Sequence, residues 1–483
     1  MKLANTYCLN KGYKFKNDIR RILLINNFSR LCTEKESSTP FQRSLSSIIH
    51  PYIAFFFSFF DGHQSLNDTL ASISEEFEIP KNEVERIIFP LINNEEPIKF
   101  TLSEGVSAVL PINFLEEGRR ERDLIGSIDL DEIIENIDIV TVRNYLPDWM
   151  TIMINDKCLT NCVYCYADTG GLENTELEIE KLKAIIDEAY EMDCNDVGIL
   201  GGDIFLYHRW FELVEYLNSK NYAPILSTKK PIRADEIAKL KSLVYRKLQI
   251  SLDTVCNQEV ESLLGVPGTY LDKMMDTLNV LNEQKIKFSI NTILTKYNCE
   301  IVNLKKLIRT FLNFEYLEEL VIASSEKSFY KGDHFLLSED QIFQIMAEDF
   351  TKDPRVKWSL KKLKEGANIK EDGSTKVGCP GNVKSLNILP DGAVTICEQM
   401  FWNRNFILGN VYKDSIKGIW CSERATAKWD IEQRQIQRLS PCSRCPEFNE
   451  CRKEKGICWA EIVKEFGANN SDFPYPGCVY GLL

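Results

Sequence analysis

Residues 149–325 alternate short apolar runs with longer amphipathic runs, and this alternation restricts the possible folds more than any other feature of the sequence. Six runs have the length and composition of strands: WMTIMI, DVGIL, APILST, LQISLD, FSINTIL and LEELVIA. The runs between them, such as TELEIEKLKAIIDEAYEM and IVNLKKLIRTFL, have helical spacing of apolar residues. The pattern predicts an α/β fold, a partial (β/α)6 TIM-like barrel with a parallel sheet inside and helices outside. In such a sheet, ligands bind at the carboxyl ends of the strands.

The loop after the first predicted strand carries three cysteines, Cys158, Cys162 and Cys165. A structural zinc ion takes four protein ligands, so this triplet alone does not complete a zinc site. Three thiolates can hold three irons of a [4Fe-4S] cluster and leave the fourth iron open to a substrate or cofactor. The alternatives are a zinc site completed from elsewhere in the chain, or three plain core thiols.

The C-x3-C-x2-C spacing after the first barrel strand resembles that of the radical S-adenosylmethionine (SAM) enzymes, with Tyr164 at the aromatic position near the cofactor. The resemblance implies that the open iron binds the amino and carboxylate groups of SAM. It also implies that one electron splits SAM to a 5′-deoxyadenosyl radical, which abstracts a hydrogen atom from the substrate.

Two further motifs extend the resemblance. ILGGD, after the second predicted strand, resembles the GGE motif of the family, with Gly201 and Gly202 matching and Asp203 in place of glutamate. In the family this motif meets the methionyl amine of SAM. SLDT, at the end of the fourth predicted strand, resembles SLDG and implies that Ser251 and Asp253 lie near the cofactor.

Two positions near these motifs have no firm assignment. EVESLLG places Leu264 where many relatives carry an arginine towards the SAM carboxylate, and this departure leaves recognition of the carboxylate unassigned. His208 lies just beyond the GGD motif and is either a proton shuttle or a helix cap. The sequence assigns no catalytic base.

Seven cysteines after residue 378 form a second group. Their C-x12-G-x4-C and C-x2-C-x5-C spacings resemble the SPASM domain of peptide-modifying radical SAM enzymes, although six residues separate Cys451 from Cys458 and the family has a shorter spacing there. The resemblance implies two auxiliary [4Fe-4S] clusters, one with four ligands and one with three plus either an open iron or an eighth ligand such as Cys421. A zinc ribbon is the alternative. The ligands would be Cys379, Cys397 and Cys458 for auxiliary cluster I, and Cys442, Cys445, Cys451 and Cys478 for auxiliary cluster II.

Residues 1–113 have a different pattern. One or two strands near the start are followed, between residues 50 and 113, by three helices and a hairpin that turns at Ser103-Glu104-Gly105. Ser65 is a predicted N-cap of the second helix, and Pro90 is expected to kink or end the third. This order is typical of a winged-helix-like domain. Residues 114–148 follow as a polar linker, and residues 326–378 bridge the predicted barrel to the cysteine-rich region 379–483.

The predicted second and third helices of the N-terminal domain are acidic, which favours a peptide partner over DNA. Ahead of a radical SAM and SPASM chain, such a domain resembles the PqqD-like precursor-recognition element of ribosomally synthesised peptide pathways. That resemblance implies that a leader peptide adds a strand to the edge of its sheet. The alternative is a helical cap packed on the barrel. The acidic residues are Asp68, Glu75, Glu76, Glu78, Glu83 and Glu85.

Composition narrows the partners and the compartment. The chain has 58 basic and 71 acidic residues and a net charge of −13, which argues against a primary contact with nucleic acid. Neither a signal peptide nor a membrane span is predicted, which indicates a cytoplasmic protein whose thiols stay reduced. Reduced cysteines are metal ligands or core thiols. Those outside the two groups are expected to be inert and buried: Cys8, Cys32, Cys194, Cys256, Cys299 and Cys421.

Together these features predict a radical SAM peptide maturase with three [4Fe-4S] clusters and SAM as cofactors. It would bind a ribosomal precursor peptide by its leader and form a thioether, carbon–carbon or carbon–oxygen crosslink, with flavodoxin or ferredoxin as reductant. One alternative is a maturase that forms formylglycine in a sulfatase. An alternative of another class is a non-catalytic peptide-binding protein with degenerate cluster sites.

Overall fold

The computed structural model describes residues 2–27, 46–103, 106–119, 133, 135–167, 175–360, 378–400, 403–476 and 478–482. The chain divides into two compact units, the first comprising Met1–Asp148 with Glu191–Asp196 and the second comprising Trp149–Tyr190 with Val197–Leu483. The finer domain bounds expected from the sequence stay a prediction. Within the described ranges, every helix is too short or too polar to cross a membrane.

The elements bounded within the described residues of the first unit are three small antiparallel sheets and three helices. The sheets have the strand orders β5-β1-β8, β2-β3-β4 and β6-β7. The strands are β1 (Thr6–Leu9), β2 (Tyr13–Asn17), β3 (Ile22–Asn26), β4 (Ser46–Ile49), β5 (Asp61–Ser65), β6 (Ile98–Ser103), β7 (Val106–Leu110) and β8 (Leu115–Glu117). The helices are α1 (Pro51–Ser58), α2 (Leu66–Glu76) and α3 (Lys81–Ile88).

The order of α1, α2, α3 and the β6–β7 hairpin is the order that the sequence predicts; the expected turn residues 104–105 lie outside the described residues. Ser65 caps α2, since its hydroxyl accepts a hydrogen bond from the Asp68 N–H at 3.2 Å. Helix α3 ends at Ile88, and the next residues, Phe89–Leu91, form a 3-10 turn that contains Pro90. The identity of this domain as a precursor-recognition element stays a prediction.

The end of the predicted linker is fixed to the first unit by a buried ion pair. Arg21 is fully buried and donates to the Asp18 carboxylate at 2.9 Å and to the Arg143 carbonyl at 2.9 Å. The same carboxylate accepts the N–H groups of Tyr145 at 3.1 Å and Leu146 at 2.8 Å. These bonds satisfy the buried charges and tie the chain near residue 145 to the turn between β2 and β3.

The second unit has the predicted alternation of strands and helices. The strands are β9 (Trp149–Met153), β10 (Asp196–Leu200), β11 (Ile225–Thr228), β12 (Lys247–Ser251), β13 (Phe288–Leu294) and β14 (Leu317–Ser324). The helices are α4 (Ile179–Glu191), α5 (Trp210–Ser219), α6 (Ala234–Leu240), α7 (Asn257–Leu264), α8 (Thr269–Glu283) and α9 (Ile301–Leu312).

The crossover between β12 and β13 holds two helices where the sequence predicts one. Helix α7, which carries EVESLL, ends at Gly265, whose φ of +65° is the left-handed conformation that glycine adopts readily. Pro267 and Gly268 follow, and α8 begins at Thr269. The short run before Gly265 therefore forms a helix of its own.

The described strands of the second unit form two five-stranded sheets, with the orders β10-β9-β16-β17-β18 and β11-β12-β13-β14-β15. Strand β9 pairs in parallel with β16, which lies in the cysteine-rich region, so that Trp149 is opposite Ser385 and Ile152 is opposite Ile388. The predicted order of strands along the chain is confirmed, but the six strands are divided between two sheets, with β9 and β10 in one and β11–β14 in the other. The added strands are β15 (Val356–Ser359), β16 (Ser385–Ile388), β17 (Ala393–Thr395) and β18 (Ile407–Asn410).

The core of the second unit is apolar along the parallel strands, as expected where helices cover the sheet. Leu248 and Ile250 of β12, Ile290 of β13, and Leu320 and Ile322 of β14 are all buried. The described residues after β14 contain four further helices: α10 (Glu339–Ala347), α11 (Ile416–Trp420), α12 (Glu423–Trp429) and α13 (Trp459–Phe466).

Candidate functional site

The cysteine triplet lies in the loop that follows β9, at the carboxyl end of that strand. The Thr160 hydroxyl lies 3.5 Å from the Cys158 sulfur and 3.3 Å from the Cys162 sulfur, so two of the thiols flank one side chain. Cys165 is held in the same loop, with its N–H donating to the Cys162 carbonyl at 3.2 Å. The three predicted ligands are therefore gathered in one loop at the edge where parallel sheets bind ligands.

Burial disfavours ionisation of the Cys162 and Cys165 thiols when no metal is bound. It raises the pKa of Cys162, and it raises the pKa of Cys165 to about 11. Metal ligation requires thiolates, so iron binding has to displace protons from this loop.

The Gly-Gly pair after β10 packs against the segment that leads into the triplet. The Gly202 N–H donates to the Asn155 carbonyl at 2.9 Å. A β-carbon on Gly201 would lie 2.7 Å from the Asn155 carbonyl oxygen, and one on Gly202 would overlap the Lys157 carbonyl. Larger residues are excluded at both positions because two backbones meet there. The glycines thereby help to define the path of the chain into Cys158.

The Asp203 side chain fixes the loop that follows β11. One carboxylate oxygen accepts the Phe205 N–H at 3.0 Å. The other accepts the Thr228 hydroxyl at 2.7 Å and the N–H groups of Lys229 at 2.9 Å and Lys230 at 3.1 Å. All these partners belong to the protein, so the structure assigns Asp203 a positioning role, and its contact with the SAM amine stays a prediction.

Asp253 links Tyr164, another predicted SAM-site residue, to a lysine that lies outside the predicted motifs. Its carboxylate is fully buried and accepts the Ile293 N–H at 2.9 Å, the Tyr164 hydroxyl, and the Lys229 ammonium at 2.7 Å. The Lys229 ammonium also lies 5.6 Å from the centre of the Tyr164 ring. Tyr164, Lys229 and Asp253 therefore form one buried group at the carboxyl ends of β11 and β12.

Lys229 lies within electrostatic reach of the triplet. Burial alone would lower the pKa of its ammonium group, but the charges of Asp253, Cys162 and Cys158 raise that pKa above its ordinary value. Tyr270 of α8 donates its hydroxyl to the Lys229 carbonyl at 2.7 Å and holds the backbone at this position. The only sequence signal for Lys229 is its place directly after the third barrel strand.

Two other residues singled out from the sequence, Ser251 and His208, lie outside the buried group of Tyr164, Lys229 and Asp253. Ser251 is half-buried at the end of β12, opposite Asn291 of β13. His208 is 68% exposed, and its Nδ1 lies 3.2 Å from the Glu176 carboxylate. Helix α5 has Arg209 as its N-cap residue, so the expectation that His208 caps this helix is wrong.

Cys379, Cys397 and Cys458 lie together in the cysteine-rich region. Burial raises the pKa of Cys379, and the charge of Cys458 adds to the effect. Burial also raises the pKa of Cys397, and the charges of Glu398, Cys379 and Cys458 raise it further. Gly456 has a φ of +69°, and a β-carbon there would lie 2.8 Å from the Cys379 carbonyl oxygen. This close approach brings Cys458 towards Cys379, although the two are far apart in sequence.

Cys442, Cys445, Cys451 and Cys478 form a second gathering. Burial raises the pKa of Cys445, and it raises that of Cys451 to about 11; the charges of Cys442 and Cys478 act on both thiols. The Gln433 side chain donates to the carbonyls of Cys442 at 3.0 Å and Cys445 at 2.7 Å. The thiols thus act on one another electrostatically within a set of three and a set of four, and their assignment as ligands of two clusters stays a prediction.

Within the described ranges, no three Cys, His, Asp or Glu side chains converge closely enough to share a single ion. Ligands of a [4Fe-4S] cluster bind separate irons, so their sulfurs need not converge on one point.

Of the remaining cysteines, Cys32 lies outside the described residues. Cys8 and Cys194 are buried as predicted, Cys256 and Cys299 are half-buried, and the prediction that Cys421 is buried is wrong because it is exposed.

Tyr166, next to Cys165, lies within electrostatic reach of both the triplet and the cysteine-rich region. The loss of water around its ring raises its pKa, and the charges of Glu398, Cys165 and Cys397 raise it further. The side chain nevertheless remains 43% exposed. An accessible tyrosine therefore lies near thiols of two separate cysteine groups.

Comparison with known families agrees with this geometry. Residues 152–308 match the Radical SAM superfamily, and residues 379–446 match SPASM, an iron-sulfur cluster-binding domain. The first match contains the triplet and the GGD motif. The second contains Cys379, Cys397, Cys442 and Cys445.

Two curated relatives match 69% and 63% of this chain. The mycofactocin maturase MftC of Mycolicibacterium smegmatis is 24% identical over 367 aligned positions, and the match covers 69% of this chain and 83% of the relative. The antilisterial bacteriocin subtilosin biosynthesis protein AlbA of Bacillus subtilis is 21% identical over 319 aligned positions, and the match covers 63% of this chain and 66% of the relative.

Solved structures agree on the fold. The crystal structure of Streptococcus suis SuiB bound to S-adenosylmethionine has a TM-score of 0.64 at 13% identity and covers 98% of this chain and 100% of that one. The chain therefore contains a radical SAM domain, followed by an iron–sulfur cluster-binding SPASM domain.

Proposed function

We propose that this enzyme modifies a ribosomally made precursor peptide and installs an intramolecular crosslink that begins with hydrogen abstraction. The observation that carries the proposal is Tyr166, an exposed side chain next to Cys165, which packs against an apolar cluster containing Leu389 and Ala393 of the cysteine-rich region. A peptide bound at Tyr166 would lie between a site that abstracts hydrogen and a site that accepts an electron. MftC is named a mycofactocin maturase, AlbA is named a bacteriocin subtilosin biosynthesis protein, and SuiB has been crystallised bound to precursor peptide SuiA.

Cys158, Cys162 and Cys165 are the proposed ligands of the SAM-binding cluster. Their loop fits this group, because the three thiols are gathered at the carboxyl end of β9 beside the positive charge of Lys229. When bound, the cluster and SAM supply the radical that removes hydrogen from the substrate. The protein's part would be to hold SAM among residues at or after the carboxyl ends of β9, β10 and β12: Tyr164, Gly201, Gly202, Asp203, Ser251 and Asp253.

Two auxiliary [4Fe-4S] clusters complete the proposal, with Cys379, Cys397 and Cys458 on cluster I and Cys442, Cys445, Cys451 and Cys478 on cluster II. The grouping of the thiols in the structure supports this division. A substrate radical has to lose one electron when it closes a new bond, and a nearby cluster of suitable potential can accept that electron. Cluster I keeps either an open iron or an eighth ligand.

The proposed product is a thioether, carbon–carbon or carbon–oxygen crosslink. Each of these bonds forms with net loss of two hydrogens, which agrees with hydrogen abstraction followed by loss of an electron and a proton. The formylglycine alternative is not favoured, since AlbA is named for the biosynthesis of a bacteriocin and SuiB was crystallised with a precursor peptide. A non-catalytic role is disfavoured by the intact triplet and by the close packing of Gly201 and Gly202 on the chain that leads into it.

The proposed leader-binding element is the β2–β3–β4 sheet of the first unit. Strand β2 is buried from Tyr13 to Lys16, whereas the edge strand β4 has an exposed Ser46 and a half-buried Ile48. A peptide strand gains main-chain hydrogen bonds when it adds to such an edge. The reductant that supplies the first electron is proposed to be a flavodoxin or a ferredoxin.

The enzymatic part of the proposal is tested by anaerobic reconstitution with iron and sulfide, followed by incubation with SAM and dithionite. We expect 5′-deoxyadenosine and about twelve irons per chain, which corresponds to three clusters. A protein that contains zinc and forms no 5′-deoxyadenosine would contradict the assignment.

Hydrogen exchange of the full chain, with and without a synthetic leader peptide, tests the first unit. We expect slower exchange of the amides of Ser46–Ile49 when the leader is present, because added strand pairing protects them. A leader with scrambled sequence is the control. Protection confined to another sheet would move the binding site, and no change anywhere would contradict the recognition role.

A further inference from the structure

The position where many relatives carry a cation for the SAM carboxylate holds an apolar side chain in this protein. Leu264 is fully buried at the end of α7, and its carbonyl accepts the Asn161 N–H at 2.7 Å. The residue before it, Leu263, accepts the Val163 N–H at 3.0 Å in the same way. Leu264 therefore packs α7 against the cysteine loop, and the carboxylate of SAM needs another partner.

Lys229 has the charge and the location for that role. Its side chain is 15% exposed, and its ammonium group donates to Asp253 at 2.7 Å while lying near Cys158 and Cys162. An ammonium group has three N–H donors, and the bond to Asp253 uses one of them. A buried cation that keeps donor capacity beside the triplet is suited to an anionic group bound there.

Asp253 and Tyr164 hold this ammonium group in place. The Asp253 carboxylate receives bonds from Lys229, Tyr164 and Ile293, so its acceptor capacity is directed to the protein. The Tyr164 ring lies 5.6 Å from the ammonium and adds a cation–π contact. Both residues are predicted near SAM, and this geometry makes them positioning residues for Lys229.

The neighbouring lysines are less suited to bind the carboxylate. Lys157 pairs with Glu176 at 2.6 Å, and Lys230 pairs with Glu236 at 2.7 Å, much as Lys229 pairs with Asp253. The difference is that the charge of Lys229 acts on Cys162, one of the triplet thiols. Lys331 acts on Cys165 and donates to the Asn161 amide oxygen at 2.8 Å, on the exposed side of the loop.

We propose that Lys229 binds the carboxylate of SAM, in place of the arginine that many relatives carry at the position of Leu264. The inference rests on the proposed binding of SAM at the triplet. It assigns Lys229 as a binding residue and makes recognition of the carboxylate depend on the loop after β11 instead of on α7.

The test compares SAM with decarboxylated SAM, which keeps the sulfonium and the amine but lacks the carboxylate. Affinities are measured by anaerobic calorimetry on the full chain with its clusters reconstituted, for the wild type and for Lys229→Met. We expect Lys229→Met to weaken SAM by about 10- to 100-fold, the size of a charge-assisted hydrogen bond, and to leave the affinity for decarboxylated SAM nearly unchanged.

Lys229→Arg keeps the positive charge and therefore distinguishes loss of the charge from loss of folding. We expect this variant to have the iron content of the wild type and to recover much of the preference for SAM over decarboxylated SAM. Lys230→Met is the matched control and should bind both ligands as the wild type does. Equal weakening of both ligands in Lys229→Met would overturn the proposal in favour of a structural role. A carboxylate-dependent loss in Lys331→Met but not in Lys229→Met would also overturn it. A wild type that binds neither ligand would instead contradict the proposed function.

Discussion

Gly202 lies against the backbone of Lys157, and a β-carbon at this glycine would overlap the Lys157 carbonyl group. Lys157 directly precedes Cys158, the first cysteine of the triplet. The turn after the second barrel strand and the loop after the first are therefore fitted to each other. The Gly-Gly pair, weak evidence as a sequence motif, has a physical reason in this contact.

Gly202→Ala is expected to displace the segment that carries Cys158. Misplacement of a reacting group by about 1 Å can cost about 100-fold in rate, and we expect a loss of that size in 5′-deoxyadenosine formation. Gly268→Ala is the matched control, since its β-carbon would lie 3.7 Å from Asn257, an ordinary contact distance. Equal rates for the two variants would show that the close packing at Gly202 is unimportant.

Cys162→Ala is expected to remove one cluster and keep the other two. Iron content should fall from about twelve to about eight per chain, and 5′-deoxyadenosine formation should be lost, because the remaining clusters do not replace the SAM site. Iron analysis and chromatography of the reaction check both effects. Retained SAM cleavage would contradict the assignment of the triplet.

Cys397→Ala is expected to separate SAM cleavage from crosslink formation. The SAM site stays intact, so 5′-deoxyadenosine should still form, while loss of the electron acceptor near Tyr166 should reduce crosslinked peptide to a small fraction of the wild-type yield. Mass spectrometry of the peptide measures this yield. Cys421→Ala tests the eighth ligand: unchanged iron and yield would leave cluster I with an open iron, and a matching loss would identify Cys421 as its ligand.

Arg21→Met is expected to destabilise the first unit. Removal of one partner from a buried ion pair costs about 3–5 kcal/mol, because Asp18 is left as an uncompensated buried charge. Hydrogen exchange of the β2 and β3 amides in the full chain reports the change. Arg86→Met removes an exposed pair with Glu83 and should cost less than about 1 kcal/mol. Similar losses in the two variants would mean that the buried pair is not what holds residues 141–146.

Local patterns predicted much of this molecule, and tertiary pairing explains what they missed. The alternation after residue 149 predicted the barrel order, and the cysteine spacings predicted the SPASM domain that residues 379–446 match. The pairing of β9 with β16 joins residues more than two hundred positions apart, and neither strand carries a sign of its partner. Lys229 gains its role from the bond of its ammonium group to Asp253, and Tyr270 from the bond of its hydroxyl to the Lys229 carbonyl. No spacing rule encodes either contact.

The central claim is that a hydrogen atom of the precursor peptide is transferred to SAM-derived product. The most direct measurement uses a precursor with a deuterated core region, incubated anaerobically with the reconstituted enzyme, SAM and reductant. We predict deuterium in 5′-deoxyadenosine and a peptide that has lost a pair of hydrogen isotopes for each crosslink. Deuterium-free 5′-deoxyadenosine together with a peptide of unchanged mass would contradict the account.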